Sequence, residues 1–514
     1  MAPTPSSVVQ QAAAGTVVPA GLACLLAVAL LLLYLRRSRK LNLPPTPPGL
    51  PLVGNLPQLG ELPHRSLRRL ALRHGPLMYL RLGHVPTLVV SNADMAQEVL
   101  KTHDAVFCTR PTRAVTTRFS YGGLGVAFAP YSDGWRHLRK IAMLELFSAK
   151  RAHSFRPIRE QEVGALLRTV ADASTGGRPV DLSAAFLCLF NNITCRQAFG
   201  KRSSDDGRCG RSKFHDMLMD SIELFGGFCA SDFFPSMAWL NVLTGFHARL
   251  EKAFHSFDSF LEQEIEAHLR RDDDSGDDFL SVLLRLQKDP SLGFHLTREH
   301  IKAVLVDVFF AGSDTSASTT EFGMLELARN PRVMKKAQEE IRRVLGRKPA
   351  VEESDLPNLP YLKLVVKEVL RLRPSVPLPL PHESMEDVRV AGYDVPAKTM
   401  VFINVWAIAR DPQKWGDDPE AFRPERFECS SLQYKGQDFQ YIPFSSGRRI
   451  CPGMTLGVSA VELALANLLH CFDWELPDGM KPEDIDTTES FGLVVHLKSP
   501  LLLNPTPVNF QLPS

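Results

Sequence analysis

Residues 297–330, TREHIKAVLVDVFFAGSDTSASTTEFGMLELARN, constrain this chain more than any other stretch. Thr297 reads as an N-cap and Pro331 as a stop, and the pattern between them predicts one continuous helix roughly 50 Å long at ~1.5 Å per residue. A rod of that length must cross the core of its domain. Its middle is anomalous: after the apolar VLVDVFFAG, Gly312 weakens the helix by about 1 kcal/mol relative to alanine, and Asp314 and Thr315 follow at once. Buried polar groups need partners. Either Thr315 bonds back to a carbonyl one turn earlier beside an Asp314 that faces solvent, or the pair is there for chemistry.

Around this rod the helical pattern dominates, as in HRSLRRLALRHG, and short strand-like pieces such as LMYLRLG and PTLVVS are separated by turn residues. The fold class is therefore mainly α with small β-sheets. A second helix, YLKLVVKEVLRLRP, is apolar on nearly every face and should be buried. Glu368 and Arg371, three apart, share one of those faces. A buried ion pair needs further hydrogen bonds, so a third charged partner is expected, and Arg426 in FRPERF is a plausible supplier. The tract RRDDDSGDDFLSVLLRLQ reads as a solvated loop that starts a helix at Asp277 and Asp278. The sequon at Asn192–Thr194 is read as chance.

The first 35 residues carry no charged side chain, and a helix over about 17–35 would be roughly 28 Å long, enough to cross a bilayer. Arg36, Arg37, Arg39 and Lys40 follow it, so the positive-inside rule puts everything downstream in the cytosol. LPPTPPGLPLVGN, Leu43 to Asn55, should be a stiff extended connector, because proline fixes φ and removes backbone donors. The predicted organisation is an anchor with its basic stop (1–40), a proline-rich connector (41–55) and a single domain (56–514). With 59 Lys and Arg against 57 Asp and Glu, there is no basic excess to bind nucleic acid. Nine scattered cysteines form neither a CxxC pair nor a secreted disulfide framework.

One cysteine stands apart. In FSSGRRICPG, 444–453, glycines let the backbone approach Cys451 with amide hydrogens free to face its sulfur, and Arg448 and Arg449 favour thiolate over thiol. The apolar helix MTLGVSAVELALANLLHCF that follows adds its N-terminal dipole. Such a thiolate suits a metal that arrives with its other ligands attached, as haem does; a cysteine nucleophile and an inert buried thiol are the alternatives. Structural zinc lacks its further Cys and His ligands.

The stretch fits Phe-x-x-Gly-x-Arg-x-Cys-x-Gly at Phe444, Gly447, Arg449, Cys451 and Gly453, and so resembles the haem-binding signature of the cytochromes P-450. WRHLRK at Trp135–Lys140, AGSDT at Ala311–Thr315, EVLR at Glu368–Arg371 and PERF at Pro424–Phe427 occur in the family's order. The connector and the ending SFGLVVHLKSPL resemble plant microsomal A-type members. The resemblance implies a cytochrome P-450 fold behind a transmembrane helix, and a haem-thiolate monooxygenase with heme b held by Cys451 as the axial metal ligand. It implies Arg449, Trp135, Arg139 and His382 at the propionates, with Phe444 and Gly453 shaping the loop. Glu368, Arg371 and Arg426 would form a supporting charge network. Thr315 and Asp314 would be catalytic, organising water for proton delivery, so that loss of Thr315 diverts electrons to hydrogen peroxide.

No flavin or nicotinamide fingerprint is present, so NADPH would act only through a membrane-bound NADPH-cytochrome reductase, docked against Arg136, Lys140 and Arg448. Endoplasmic reticulum membrane, a hydrophobic small-molecule substrate and O2 complete the expected partners. Two positions depart from the commoner plant pattern: Ser445 replaces a frequent glycine, and His382 stands where an arginine is often found. A histidine there makes haem retention sensitive to pH near neutrality, and His382→Arg should retain haem at least as well. Phe119, Leu124, Phe225, Phe309, Phe310, Val376, Leu378, Phe491 and Val494 fall where relatives line the substrate pocket, or are core. The intact AGSDT argues against an isomerase; a non-catalytic haem sensor stays open.

Overall fold

The computed structural model describes residues 41–202, 213–227, 229–271 and 276–508; the predicted anchor at 1–40 lies outside them. Residues 41–55 form no helix, as the prolines require. They are tied to the body: Tyr79 N donates to Pro45 O at 3.0 Å, and Gly54 bridges to Leu82.

Helix α1 (Pro63–His74) leads into strands β1 (Leu77–Leu82) and β2 (Val85–Val90), the two strand-like pieces read from sequence. Next come α2 (Asp133–Ile141), α3 (Arg156–Thr175), α4 (Leu182–Phe199), α5 (Arg298–Gly312) and α6 (Asp314–Arg329). After them follow α7 (Pro331–Leu345), α8 (Pro360–Leu372), β3 (His382–Glu383), β4 (Met400–Ile403), α9 (Met454–Cys471), and the hairpin β5 (Glu489–Ser490) and β6 (His496–Leu497). The larger sheet runs β1-β2-β4-β3, with β2 and β4 parallel (Thr87 opposite Met400) and the other pairs antiparallel.

Two apolar clusters divide the helical body. One is built from α3, α4, α6, α7, α8 and α9 and contains Leu166, Phe190, Phe322, Val365 and Leu465. The other gathers Phe119, Phe199, Phe257, Phe309 and Phe310 around α5. Helix α9 is long and apolar enough to cross a membrane, but most of it is enclosed in the first cluster. Asn192 is buried on α4, which removes the sequon from the surface. Asp278 caps its helix by accepting from Ser281 N at 2.9 Å.

The long rod is not continuous. Thr297 does cap α5, but the helix ends at Gly312, and Ser313, at φ −84° and ψ −60°, separates it from α6. Gly312 has weak helix propensity, and Thr315 Oγ1 donates to Ala311 O at 2.6 Å, which lets the chain step aside there.

Helix α8 is buried as expected, and Glu368 and Arg371 are wholly inaccessible. Arg371 Nε donates to Glu368 Oε2 at 2.7 Å, and its other nitrogens reach the carbonyls of Ala409, Pro419 and Ala421. The third partner is Arg426, whose Nε donates to Glu368 Oε1 at 2.9 Å. Tyr441 stacks beside Phe427 and donates to Lys367 O at 2.8 Å, so this network is joined to the segment that runs into residue 444.

Candidate active site

The cysteine loop is built by a single turn, Gly447–Arg449, closed by Cys451 N donating to Phe444 O at 3.1 Å. Gly447 has φ +72°, and a Cβ there would lie 2.5 Å from Asp104 Oδ1 and 2.7 Å from Leu100 O, so only glycine fits. Ser445 also sits in the left-handed region, at φ +62°, and its buried hydroxyl has no partner. Phe444 is half-buried against Tyr434, and Gly453 opens α9 with free space where a Cβ would be.

The amides of Gly453 and Met454 donate to the Cys451 sulfur, as the loop's glycines suggest. The cation beside it is Arg139, not Arg448 or Arg449. Arg448 turns away to pair with Asp104, and Arg449 points to the carbonyls of Cys108 (2.7 Å), Val126 (3.2 Å) and Ala129 (2.7 Å). Burial pushes the Cys451 thiol up, outweighing the two amides and Arg139. The thiolate expected from the loop alone is therefore not the resting form without a metal to stabilise it.

Arg449 stacks on the Trp135 ring at 3.8 Å, and Trp135 Nε1 donates to Val126 O at 2.9 Å. Arg139, one turn beyond Trp135 on α2, donates to Ile450 O. Sequence reasoning missed Arg110, which is buried, bonds the carbonyls of Ala127, Leu380 and Pro381, and lies within electrostatic reach of Arg139 and Arg449. Its lone position in CTRP carried no signal. Burial depresses all three guanidiniums, Arg449 to about 9, and repulsion from neighbouring arginines adds to it at Arg110 and Arg449. Among the described residues none of the three has an ion pair with a carboxylate.

His382 is buried on β3 with Nδ1 at 2.8 Å from Phe107 O and Nε2 without a partner. Burial and Arg110 hold it well below the usual histidine range, so it is neutral across physiological pH. The conditional charge expected near neutrality is therefore corrected.

On the other side, Ala311 and Gly312 are exposed although Phe309, Phe310, Ser313 and Asp314 around them are buried, and Thr315 is half-buried. Cys451 likewise keeps accessible surface while burial dominates its thiol. These surfaces form two walls, one at the break between α5 and α6 and one at the cysteine loop before α9. The two walls meet where α9 crosses α6: a Cβ on Gly457 would lie 3.5 Å from Ser316 Oγ. Buried Arg110 and Arg449 and half-buried Arg139, none ion-paired to a carboxylate among the described residues, together with an orphaned imidazole nitrogen and a partly accessible cysteine, fit a dianionic, thiolate-ligated porphyrin.

Thr315 makes the back-bond anticipated, but Asp314 does not face solvent. It is buried, with Oδ1 2.9 Å from Nε2 of His496, a residue that no motif singled out. Asp307, about one turn before Ala311 on α5, accepts from the amides of Val126 and Ala127 at 2.6 and 3.0 Å, and burial raises it to about 6.

Of the expected pocket residues, Phe119, Phe309 and Phe310 are wholly buried in an aromatic cluster, with Phe119 and Phe310 centroids 5.3 Å apart, and are core. Val494 is also buried, whereas Leu124, Phe225, Val376, Leu378 and Phe491 keep partial exposure. Arg136 and Arg448 are ion-paired to Asp133 and Asp104, which reduces the free positive charge of the expected docking face; Lys140 is exposed. A surface groove of about 560 Å³ lined by Gly60, Arg65, Arg68 and Trp406 contains none of these residues.

The family model described as cytochrome P-450 matches residues 44–504. The chain is 50% identical over 456 residues to cytochrome P-450 71A1 of Persea americana, covering 88% of this chain and 90% of that one. It is 46% identical to a phenylacetaldehyde oxime monooxygenase of Prunus mume (92% and 90% covered) and 47% identical to a strychnine-11-hydroxylase of Strychnos nux-vomica (91% and 92%). Among solved structures, a zebrafish cytochrome P-450 with progesterone aligns at a TM-score of 0.73 and 26% identity, covering 87% of this chain and 99% of that one.

Proposed function

This chain belongs to the cytochrome P-450 family, as a haem-dependent monooxygenase, and we propose that it inserts one atom of O2 into a hydrophobic small molecule, a plant specialised metabolite. Electrons would come from an NADPH-cytochrome reductase. Relatives named for phenylacetaldehyde oxime and for strychnine support that substrate class. The partial exposure of Leu124, Phe225, Val376, Leu378 and Phe491 supports an apolar guest.

Bound haem supplies the iron at which oxygen is reduced and cleaved. Cys451 is proposed to hold the haem iron through its sulfur. A coordinating thiol loses its proton outright, and the amides of Gly453 and Met454 together with Arg139 then hold the negative sulfur. Arg449, Arg139 and Trp135 are proposed to hold the propionates, with Arg110 added and His382 contributing its free Nε2. Phe444 and Gly453 set the loop. The exposed Ala311 and Gly312 leave room for oxygen, Thr315 orients water, and Asp314 passes protons inward. The proposed location is the endoplasmic reticulum membrane, held by the 1–40 anchor with the domain in the cytosol.

The observation that carries this reading is the cluster of three guanidiniums without a carboxylate ion pair, two of them buried, beside a partly accessible cysteine. The reduced, carbon-monoxide-treated spectrum tests it. Wild type should give the thiolate-type band and Cys451→Ala should lack it; a wild type without the band refutes the assignment. NADPH-dependent turnover of a metabolite panel then separates enzyme from sensor.

A further inference from the structure

His496 stands on β6, opposite Ser490 of β5. The hairpin is pinned to α6 at two points. Ser318 Oγ donates to Val495 O at 2.6 Å, and Leu501 N donates at 2.9 Å to Ser183 Oγ, whose own hydroxyl donates to Glu321. So held, the imidazole lies between two carboxylates of α6, with Nε2 2.9 Å from Asp314 Oδ1 and Nδ1 3.9 Å from Glu321 Oε2. The side chain of His496 is 30% exposed, against 2% for Asp314 and 5% for Glu321. Both oxygens of Asp314 are buried and neither makes a protein hydrogen bond, so Oδ1 meets His496 as an ion pair and Oδ2 is unpartnered.

We propose that His496 is a positioning residue for oxygen activation, fixing the Asp314 carboxylate and relaying protons to it from solvent. The inference rests on the monooxygenase reading above. The imidazole thus has a buried carboxylate beside each of its ring nitrogens, both on one face of α6. Burial lowers His496, but Asp314 and Glu321 outweigh it and carry the ring up to about 10. The other nearby acids are engaged elsewhere: Glu489 with Arg65 and Arg373, and Glu326 with Arg373 and Arg329. Lys498, two residues along, is exposed.

From imidazolium and carboxylate, Nε2–H of His496 passes to Oδ1 of Asp314, which turns and gives that proton inward through water. The neutral ring, which keeps Nδ1–H, then regains a proton from solvent at Nε2. One proton crosses, and the pair returns to its starting charge.

The test uses the holoenzyme reconstituted with reductase, following NADPH-driven O2 consumption in H2O and D2O without added substrate. His496→Gln should keep its haem and thiolate–CO band, slow O2 consumption about tenfold or more, within what general acid–base groups contribute, and enlarge the solvent isotope effect. His496→Lys, which keeps a cation, should regain part of the rate, and adding His496→Gln to Asp314→Asn should slow the enzyme no further. An unchanged rate and isotope effect in His496→Gln overturns the proposal. Loss of the thiolate–CO band in the wild type would instead overturn the monooxygenase reading.

A readout independent of turnover is the thermal midpoint against pH. Because the folded value is raised, His496 stabilises fully below its unfolded value of about 6.5. That stabilisation is lost as pH rises through about 10. The midpoint gap between wild type and His496→Gln should therefore close in that window, and a constant gap overturns the ion triad. Should His496→Gln fail to hold haem, the wild-type rate decides: it should stay level through neutrality and fall only toward pH 10, whereas a fall centred near about 6.5 refutes the relay.

Discussion

Glu368→Ala removes the acceptor on which Arg371 Nε and Nη2, Arg426 Nε and the Arg423 amide converge, within 2.7–2.9 Å. Arg371 cannot move to water, since its side chain has no exposure. Its remaining bonds go to neutral carbonyls of residues 409, 419 and 421. Breaking one member of a buried ion network costs about 3–5 kcal/mol, because the surviving charge stays buried. Over the residues 44–504 of the domain, an unfolding entropy of about 2.1 cal/mol/K per residue sums to roughly 1 kcal/mol/K. The thermal midpoint, followed by helical circular dichroism and by haem absorbance, should therefore fall by about 3–5 °C. Arg332→Ala is the control: its pair with Glu425 leaves the arginine 69% exposed, and such pairs contribute about 0–1 kcal/mol. Glu368→Ala with Arg371→Leu should recover part of the loss by removing both charges. A Glu368→Ala shift no larger than the control's, or a double variant worse than the single, would refute the reasoning.

Two neighbouring positions in the cysteine loop should respond with opposite sign. Ser445→Gly relieves a left-handed φ and removes a buried unpartnered hydroxyl, so haem loss on heating should move to higher temperature by about 1–3 kcal/mol of stability. Gly447→Ala drives a methyl into Asp104 and Leu100 at a strained φ, and its haem content on expression should fall severalfold. Acid unfolding should report Glu489, whose carboxyl is held at about 2 by His64, Arg65 and Arg373 against the opposing effect of burial. Because its folded value is depressed, its stabilisation is present above about 4.3 and is lost as pH falls toward 2. Glu489→Gln should flatten that limb of the midpoint-versus-pH curve.

What could be read in advance was what depends on near neighbours along the chain. The helices at 63–74, 360–372 and 454–471 announce themselves by periodicity, and the demand of a buried Glu368–Arg371 pair for a third charge led to Arg426. The break at Ser313 did not show, because helical pattern continues on both sides and the interruption depends on what the Ala311–Thr315 step faces. Adjacency misled at Cys451. In a tight turn consecutive side chains diverge, so Arg448 and Arg449 leave the sulfur while Arg139, from a distant helix, approaches it. Arg110 and His496 matter only through partners brought together by folding. A histidine between valine and leucine in VVHLK is a polar residue in an apolar strand, but nothing local names its carboxylates.

The peptide joining Val126 to Ala127 has one face on each side of the site. Its amide is gripped by Asp307 of α5, while its carbonyl receives Trp135 and Arg449. A loop exchange meant to retune which molecules enter would therefore tug at the very side chains proposed to seat the prosthetic group. Libraries that spare residues 125–127 should keep their colour, and those that randomise them should bleach before any new selectivity can be scored.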